Sequence, residues 1–231
     1  MSARRSQSTI MIPSSIWDIC RQSIFRVKLT DSLFNQYSDT DPDLDLPNAH
    51  EIRCQNLQEY LASYHRKPQA LVIGEMATTW GSRFSGVPQT SERQLISGDL
   101  PFDGKQSSLD DPAIRTRVRP PYSATSATIF WKVMASYHPN FLVWDFVPIY
   151  PHVGGNMLKK RTPKAEEMEI FADSLTAVIA AIQPKLVVAI GKRVSEGIAN
   201  WGVTHESVHH PTHDAAGEFA AGMKAIFLDI V

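Results

Sequence analysis

Two carboxylates and a cluster of imidazoles are the groups in this chain best placed for chemistry. Glu75 follows directly on the apolar run "ALVIG" (70–74), and Asp145 sits within the apolar "FLVWDFVPI" (141–149). Four of the eight histidines, His205, His209, His210 and His213, fall within nine residues. A carboxylate at the end of a buried strand can orient water, accept a proton or stabilise a developing cation, and an imidazole can donate to a departing anion or bind metal. Pro211 forbids a helix through the histidine cluster, and on a strand the neighbours His209 and His210 point to opposite faces. No HExxH or H-x-E…PCxxC pattern accompanies them, so a metal site is the weaker reading. The first loop also fails as a phosphate cradle. Gly81 and Gly86 are five apart, as in a P-loop, but Val87 and Pro88 stand where Lys and Ser/Thr belong, and no GxGxxG occurs. Gly74, Gly81 and Gly86 are equally compatible with plain turns.

The elements that must position these groups alternate. Strands are predicted at 70–73, 141–149, 185–191 and 206–211. Helices are predicted at 51–65, 123–138, 162–182 and 192–202, with a last one over 214–227. In the third of these helices Thr162 is the expected N-cap, Pro163 fits the first turn and Pro184 lies past the end. Strand–helix alternation predicts an α/β fold with a mainly parallel sheet, whose ligands bind outside the strands' C-terminal ends. Three polar constellations fall there: Gly74–Glu92, Asp145–Pro151 and His209–His213. The long irregular stretch 74–120 reads as functional or disordered. Residues 1–50 read as an N-terminal extension with one short helix and a polar loop, ahead of a domain spanning 51–231.

Composition narrows the class. The 231 residues are 43% hydrophobic with a net charge of −1, enough for one sizeable core and unlike a highly basic nucleic-acid binder. No apolar run reaches the ~20 residues of a membrane span, so a cytoplasmic protein is expected. Two cysteines, Cys20 and Cys54, cannot make a four-thiolate cluster. Basic segments stand at "RTRVR" (115–119) and "KKRTPK" (159–164); a local basic face is one reading of them, and ordinary solvated charge is the better one for either run.

Four segments, in order, resemble the motifs of the uracil-DNA glycosylase superfamily. "GEMATTWGSRFSGVPQTSE" (74–92) resembles the GEAPG…TG-x-PF-TSE loop of its bacterial members. "VWDFVPIYPHVGGNMLKKRTPKAEE" (143–167) resembles the W-N-x-x-P-x-x-P-H…N…RTP…E segment. "LVVAIGKRVSEGI" (186–198) resembles the family's third strand and its G-[KR] turn, and "HHPTH" (209–213) resembles HPSH. The resemblance covers roughly residues 52–224. It implies a three-layer α/β/α sandwich around a mostly parallel four-stranded sheet. It also implies a monofunctional, metal-independent enzyme that flips uracil out of DNA and hydrolyses its N-glycosidic bond. The setting it implies is a monomer in the bacterial cytoplasm or nucleoid, acting on uracil-containing DNA without a cofactor and, with two cysteines, without the iron–sulfur cluster of one branch.

Carried over residue by residue, the resemblance gives Glu75 water activation and cation stabilisation, and gives His210, as a neutral imidazole, donation to the developing uracil anion. Gly74 and the amides of Met76 and Ala77 line the pocket. Thr212 and His213 grip the DNA backbone; Lys192 and Arg193 either touch phosphate or sit on a solvated turn, and Arg161 either faces DNA or anchors the helix that starts after Thr162. Three departures stand out. The aromatic that stacks on uracil is Gln89 here, so Trp80 or Phe84 is expected to supply a ring. The base-reading asparagine is Asp145, expected to be protonated and to retain a preference for uracil; ionised, it would favour cytosine's amino group. Ala77 and Thr78 replace the loop's proline and final glycine. Two alternatives stay open: a family member that binds or covalently traps uracil DNA without turnover, and a metal-dependent hydrolase.

Overall fold

The computed structural model describes residues 12–27, 30–110 and 119–228. Most of the basic segment 115–119 lies outside them. In chain order the elements are α1 (Ile12–Gln22), β1 (Leu33–Phe34), α2 (Ala49–Ala62), β2 (Ala70–Met76), α3 (Ser82–Ser85), α4 (Glu92–Ser97), α5 (Thr125–Met134), β3 (Phe141–Val147), β4 (Tyr150–Val153), β5 (Asn156–Lys160), α6 (Ala165–Ile182), β6 (Leu186–Ile190), α7 (Lys192–Ala199), β7 (Glu206–Val208) and α8 (Ala216–Phe227).

Four strands form a wholly parallel sheet in the order β3-β2-β6-β7. All seven residues of β3 are buried and only Glu75 of β2 is not, so both faces of the sheet are covered. Side chains of alternate parity face opposite layers. Phe141 packs with Phe130 of α5 and Phe227 of α8, whereas Phe146 stacks on Trp201, just beyond α7, with ring centroids 4.6 Å apart. The result is the expected three-layer α/β/α sandwich. Because every strand runs the same way, residues 75, 145, 191–193 and 209–213 all come to one edge. A second, antiparallel sheet, β1-β4-β5, begins three residues after β3 and stands at that same edge. The sequence pattern gave no sign of it, because β4 and β5 are short and their tip is Gly154–Gly155.

The helix α6 buries Phe171, Leu175, Val178 and Ile182, the i, i+4, i+7, i+11 stripe of a core-facing helix. It starts later than the Thr162 cap predicts. Glu167 reaches back to accept from the Lys164 amide at 2.8 Å, which makes Lys164 the N-cap. Gln183 ends the helix in the left-handed region at φ 46°.

The described residues ahead of α2 pack into this core. Ile16, Cys20 and Ile24 are buried, β1 pairs with β4, and the Tyr37 hydroxyl donates to the Gly86 carbonyl at 2.8 Å. The polar run "NQYSDTDPDLD" looks like surface in one dimension. In three, Asn35, Gln36 and Asp45 are buried and bonded: Asn35 donates to the Ile24 carbonyl and Gln36 to the Pro148 carbonyl, both at 2.8 Å.

Candidate active site

The parallel register sets Gly74 of β2 directly beside Asp145 of β3. A Cβ on Gly74 would lie 2.5 Å from both Asp145 Oδ1 and Gln89 Nε2, so only glycine leaves room for those two side chains to meet. They do meet: Gln89 Nε2 donates to Asp145 Oδ1 at 3.2 Å. Gln89 reaches this position from a left-handed backbone at φ 52°, and the turn that carries it is tied down. Ser85 Oγ donates to the Thr90 carbonyl at 2.8 Å, and Trp131 Nε1 donates to Thr90 Oγ1 at 2.9 Å. Residues 81–92 are all buried. Glu92 organises this loop by accepting from the amides of Ser107, Ser108 and Tyr122 and from the Ser108 hydroxyl. The stretch that looks irregular in sequence is therefore a folded wall.

Burial is the main cause that pushes the Asp145 carboxyl up to about 7; the Gln89 hydrogen bond opposes that rise and the negative charge of Glu75 adds to it. The neighbouring Glu75 is half-buried and pairs with Arg193 Nε at 3.2 Å. Arg193 also donates to Thr162 Oγ1 at 3.1 Å, which fixes its guanidinium between two strand ends.

On the far side of β6, Gly191 takes φ 86° and its amide donates to the Val208 carbonyl at 2.8 Å. A Cβ there would stand 3.8 Å from that of His210, so the two turns lie against each other. Burial, then the positive charge of Lys160, lowers the pKa of His210 and so favours a neutral imidazole. Its Nδ1 is buried and has no hydrogen-bond partner among the described residues. A cleft of about 570 Å³ runs past Gly191, Lys192, His210 and Thr212.

Several predicted residues therefore converge on one edge: Gly74, Glu75, Gln89, Asp145, Lys192, Arg193, His210 and Thr212. Met76 and Ala77 are buried beside them, with Ala77 packed among Phe34 and Tyr150. His213 is exposed, 3.5 Å from Asp214. Two expectations need correction. Phe84 is fully buried, with Tyr122 at 4.3 Å and the Arg83 guanidinium 4.0 Å from its ring centre, so it has no open face for a base. Trp80 stacks on Phe84 and leans on Tyr122, although it keeps partial exposure. Arg161 does not face phosphate: it donates to both Glu167 oxygens, to Ser32 and to the carbonyls of His152 and Thr162, and so pins the β4–β5 hairpin to α6. Among the described residues no three His, Cys, Asp or Glu side chains are grouped to hold a metal ion. His205 is held by Ser195 and by the Val203 carbonyl.

Lys160, near His210, and Tyr37 and Tyr60, whose charges would couple to Asp145, were missed as site neighbours. Lys160 carried a signal, since it belongs to a basic run; the two tyrosines carried none.

The fold and this edge define an α/β/α protein with its polar groups outside the carboxyl ends of a parallel sheet. A family model described as the uracil DNA glycosylase superfamily matches residues 84–221, more than half of the chain. The chain belongs to the uracil DNA glycosylase superfamily. The match begins after Gly74 and Glu75. Among solved structures the chain is similar to wild-type SMUG2 of Pedobacter heparinus, with a TM-score of 0.56 and 13% identity, over 93% of this chain and 94% of that one. No curated protein matches it in sequence.

Proposed function

We propose that the protein is a monofunctional, metal-independent DNA glycosylase that flips uracil out of DNA and hydrolyses its N-glycosidic bond, leaving free base and an abasic site. The observation that supports this reading is that Glu75, the Asp145–Gln89 pair and His210 lie at the same carboxyl edge of the parallel sheet, at or beyond the ends of three different strands. Bond cleavage leaves positive charge on the sugar and negative charge on the base. Glu75, oriented by Arg193, stabilises the sugar cation and directs water to C1′. His210, uncharged, donates to the departing base without adding a positive charge beside the cation. Asp145 reads the edge of the flipped base as a neutral acid. Lys192, Thr212 and His213 contact the backbone, with Lys159 and Lys160 adding charge along the exposed β5. With Gln89 turned to Asp145, Trp80 is the ring left to cover the base face. Uracil-containing DNA is the partner, and a monomer in the cytoplasm is the form we propose; among the described residues no helix is long and apolar enough to cross a membrane.

Labelled uracil DNA incubated with the protein in chelator tests the reading. Abasic product formed over many turnovers supports it. Retained uracil, or a one-to-one covalent adduct, supports a binding or trapping member, and activity that needs added zinc supports a metal hydrolase.

A further inference from the structure

Asp145 is not a lone acid. Gln89 Nε2 is bonded to its Oδ1 at 3.2 Å, and the two residues are only 4% and 1% exposed. Three independent features serve this one contact: the absent Cβ of Gly74, the left-handed φ of 52° at a non-glycine Gln89, and the clamp on Thr90 from Ser85 and Trp131. A backbone held in a sparsely populated region by buried bonds points to a task for the side chain it aims. Asp145 has Gln89 as its one hydrogen-bond partner among the described residues, which leaves Oδ2 without one.

A neutral carboxylic acid is an ambiguous reader. Uracil presents a ring N–H beside a carbonyl; cytosine presents a bare ring nitrogen beside an amine. The donors and acceptors run in opposite order, and an acid whose proton sits on either oxygen matches both edges. A hydrogen bond from Gln89 removes the ambiguity. It commits Oδ1 as an acceptor and leaves the proton to Oδ2, which fixes the order. Resting on the glycosylase reading above, we infer that Gln89 is the specificity residue of this site: by fixing which oxygen of Asp145 donates, it makes the pair select a ring lactam, the edge that deamination creates, over the amidine edge of cytosine. Lactam N–H donates to Oδ1 and Oδ2–H donates to the lactam oxygen. Cytosine would set acceptor against acceptor and donor against donor, and buried mismatches of that kind discriminate strongly. The groups facing the acid fit this role. Glu75 on β2 is negative and favours the proton, while Tyr37 and Tyr60 are buried phenols whose pKa values are raised, so they stay neutral.

The test compares single-turnover excision from duplexes that differ only in uracil or cytosine, for wild type, Gln89→Leu, Gln89→Met, Asp145→Asn and the double variants. The uracil-over-cytosine ratio should fall about tenfold or more in the Gln89 variants. The alkaline limb of their uracil profile should move to higher pH, because a bond favouring the ionised acid is gone. In the Asp145→Asn background the Gln89 changes should also lower the ratio, because the same bond fixes which end of the amide faces which base atom, but no alkaline limb is present there to move. Anisotropy binding to duplexes carrying 2′-fluoro-deoxyuridine or 2′-fluoro-deoxycytidine reads the same ratio where chemistry is lost. An unchanged ratio in both Gln89 variants overturns the inference, as does a fall in the ratio with no shift of the alkaline limb, which would mean packing alone. A wild type that cleaves neither base yet binds uracil over cytosine through Gln89 defeats the glycosylase reading and leaves this one standing.

Discussion

Asp45 and Asp145 are the same residue type at nearly the same burial, 3% and 1% exposed, and the protein treats them in opposite ways. Asp45 Oδ1 faces two guanidinium groups, Arg53 and Arg83, and its Oδ2 accepts from the Asp41 amide at 2.9 Å. The arginines are secured in turn: Arg53 donates to Ser107 and to the carbonyls of Gln36 and Asp39, and Arg83 lies 4.6 Å from the ring centre of Phe34. Asp145 has one neutral amide and a like-charged neighbour, Glu75. Where the charge is structural, it is surrounded by opposite charge. At the acid we propose reads the base, pairing is left incomplete and the carboxyl moves toward its neutral form.

The contrast can be broken most forcefully at the chemistry. Glu75→Ala and His210→Ala should each lower uracil excision about 10²- to 10⁴-fold while thermal melts stay near wild type; near-wild-type rates in both would remove the site. Next in size is the structural cluster. Asp45→Ala should cost about 3–5 kcal/mol in urea unfolding, because it strands two buried guanidinium groups, and the protein that remains folded should keep its choice of base.

Asp145→Asn should act in the other direction. The native carboxyl takes its proton near pH 7, against an ordinary value of 3.8, so the folded state binds the proton more tightly than the unfolded chain. The destabilisation is absent below about pH 4, grows between pH 4 and 7, and is complete above. Unfolding at pH 8 should therefore show the variant more stable than wild type, by at most about 4 kcal/mol, with the two converging at pH 4. Excision by the variant should lose its alkaline fall. The smallest effect belongs to the exposed lysines: Lys159→Ala or Lys160→Ala should reduce the log–log salt slope of DNA binding by about 1 each, without regard to the base.

The layers of the fold were legible because strands buried on both faces are short apolar runs and α6 carries an unbroken stripe. The β4–β5 hairpin and the packing of the described residues ahead of α2 were not. Short strands around a Gly-Gly turn have little periodicity, and a polar segment whose partners lie on several other segments, as far off as Pro148 for Gln36, looks like surface. At the site, Glu75 and Asp145 could be picked out as carboxylates after or within apolar runs, and His210 by the histidine cluster and the "HHPTH" motif. The choice between DNA contact and helix anchor for Arg161, and between base stacking and loop packing for Phe84, could not be made, since a basic residue beside a motif and an aromatic in a loop read the same whether they face DNA or the interior.

By itself the sequence determined which strands are buried, that they run parallel, and hence that residues far apart share one edge, because period and alternation are local properties of the chain. Only the tertiary structure decided that Gln89 turns inward to Asp145 through the space left by Gly74, that Arg193 holds Glu75, and that Arg161 is an anchor. Those outcomes depend on distances of about 3 Å between segments whose separation along the chain carries no information about contact.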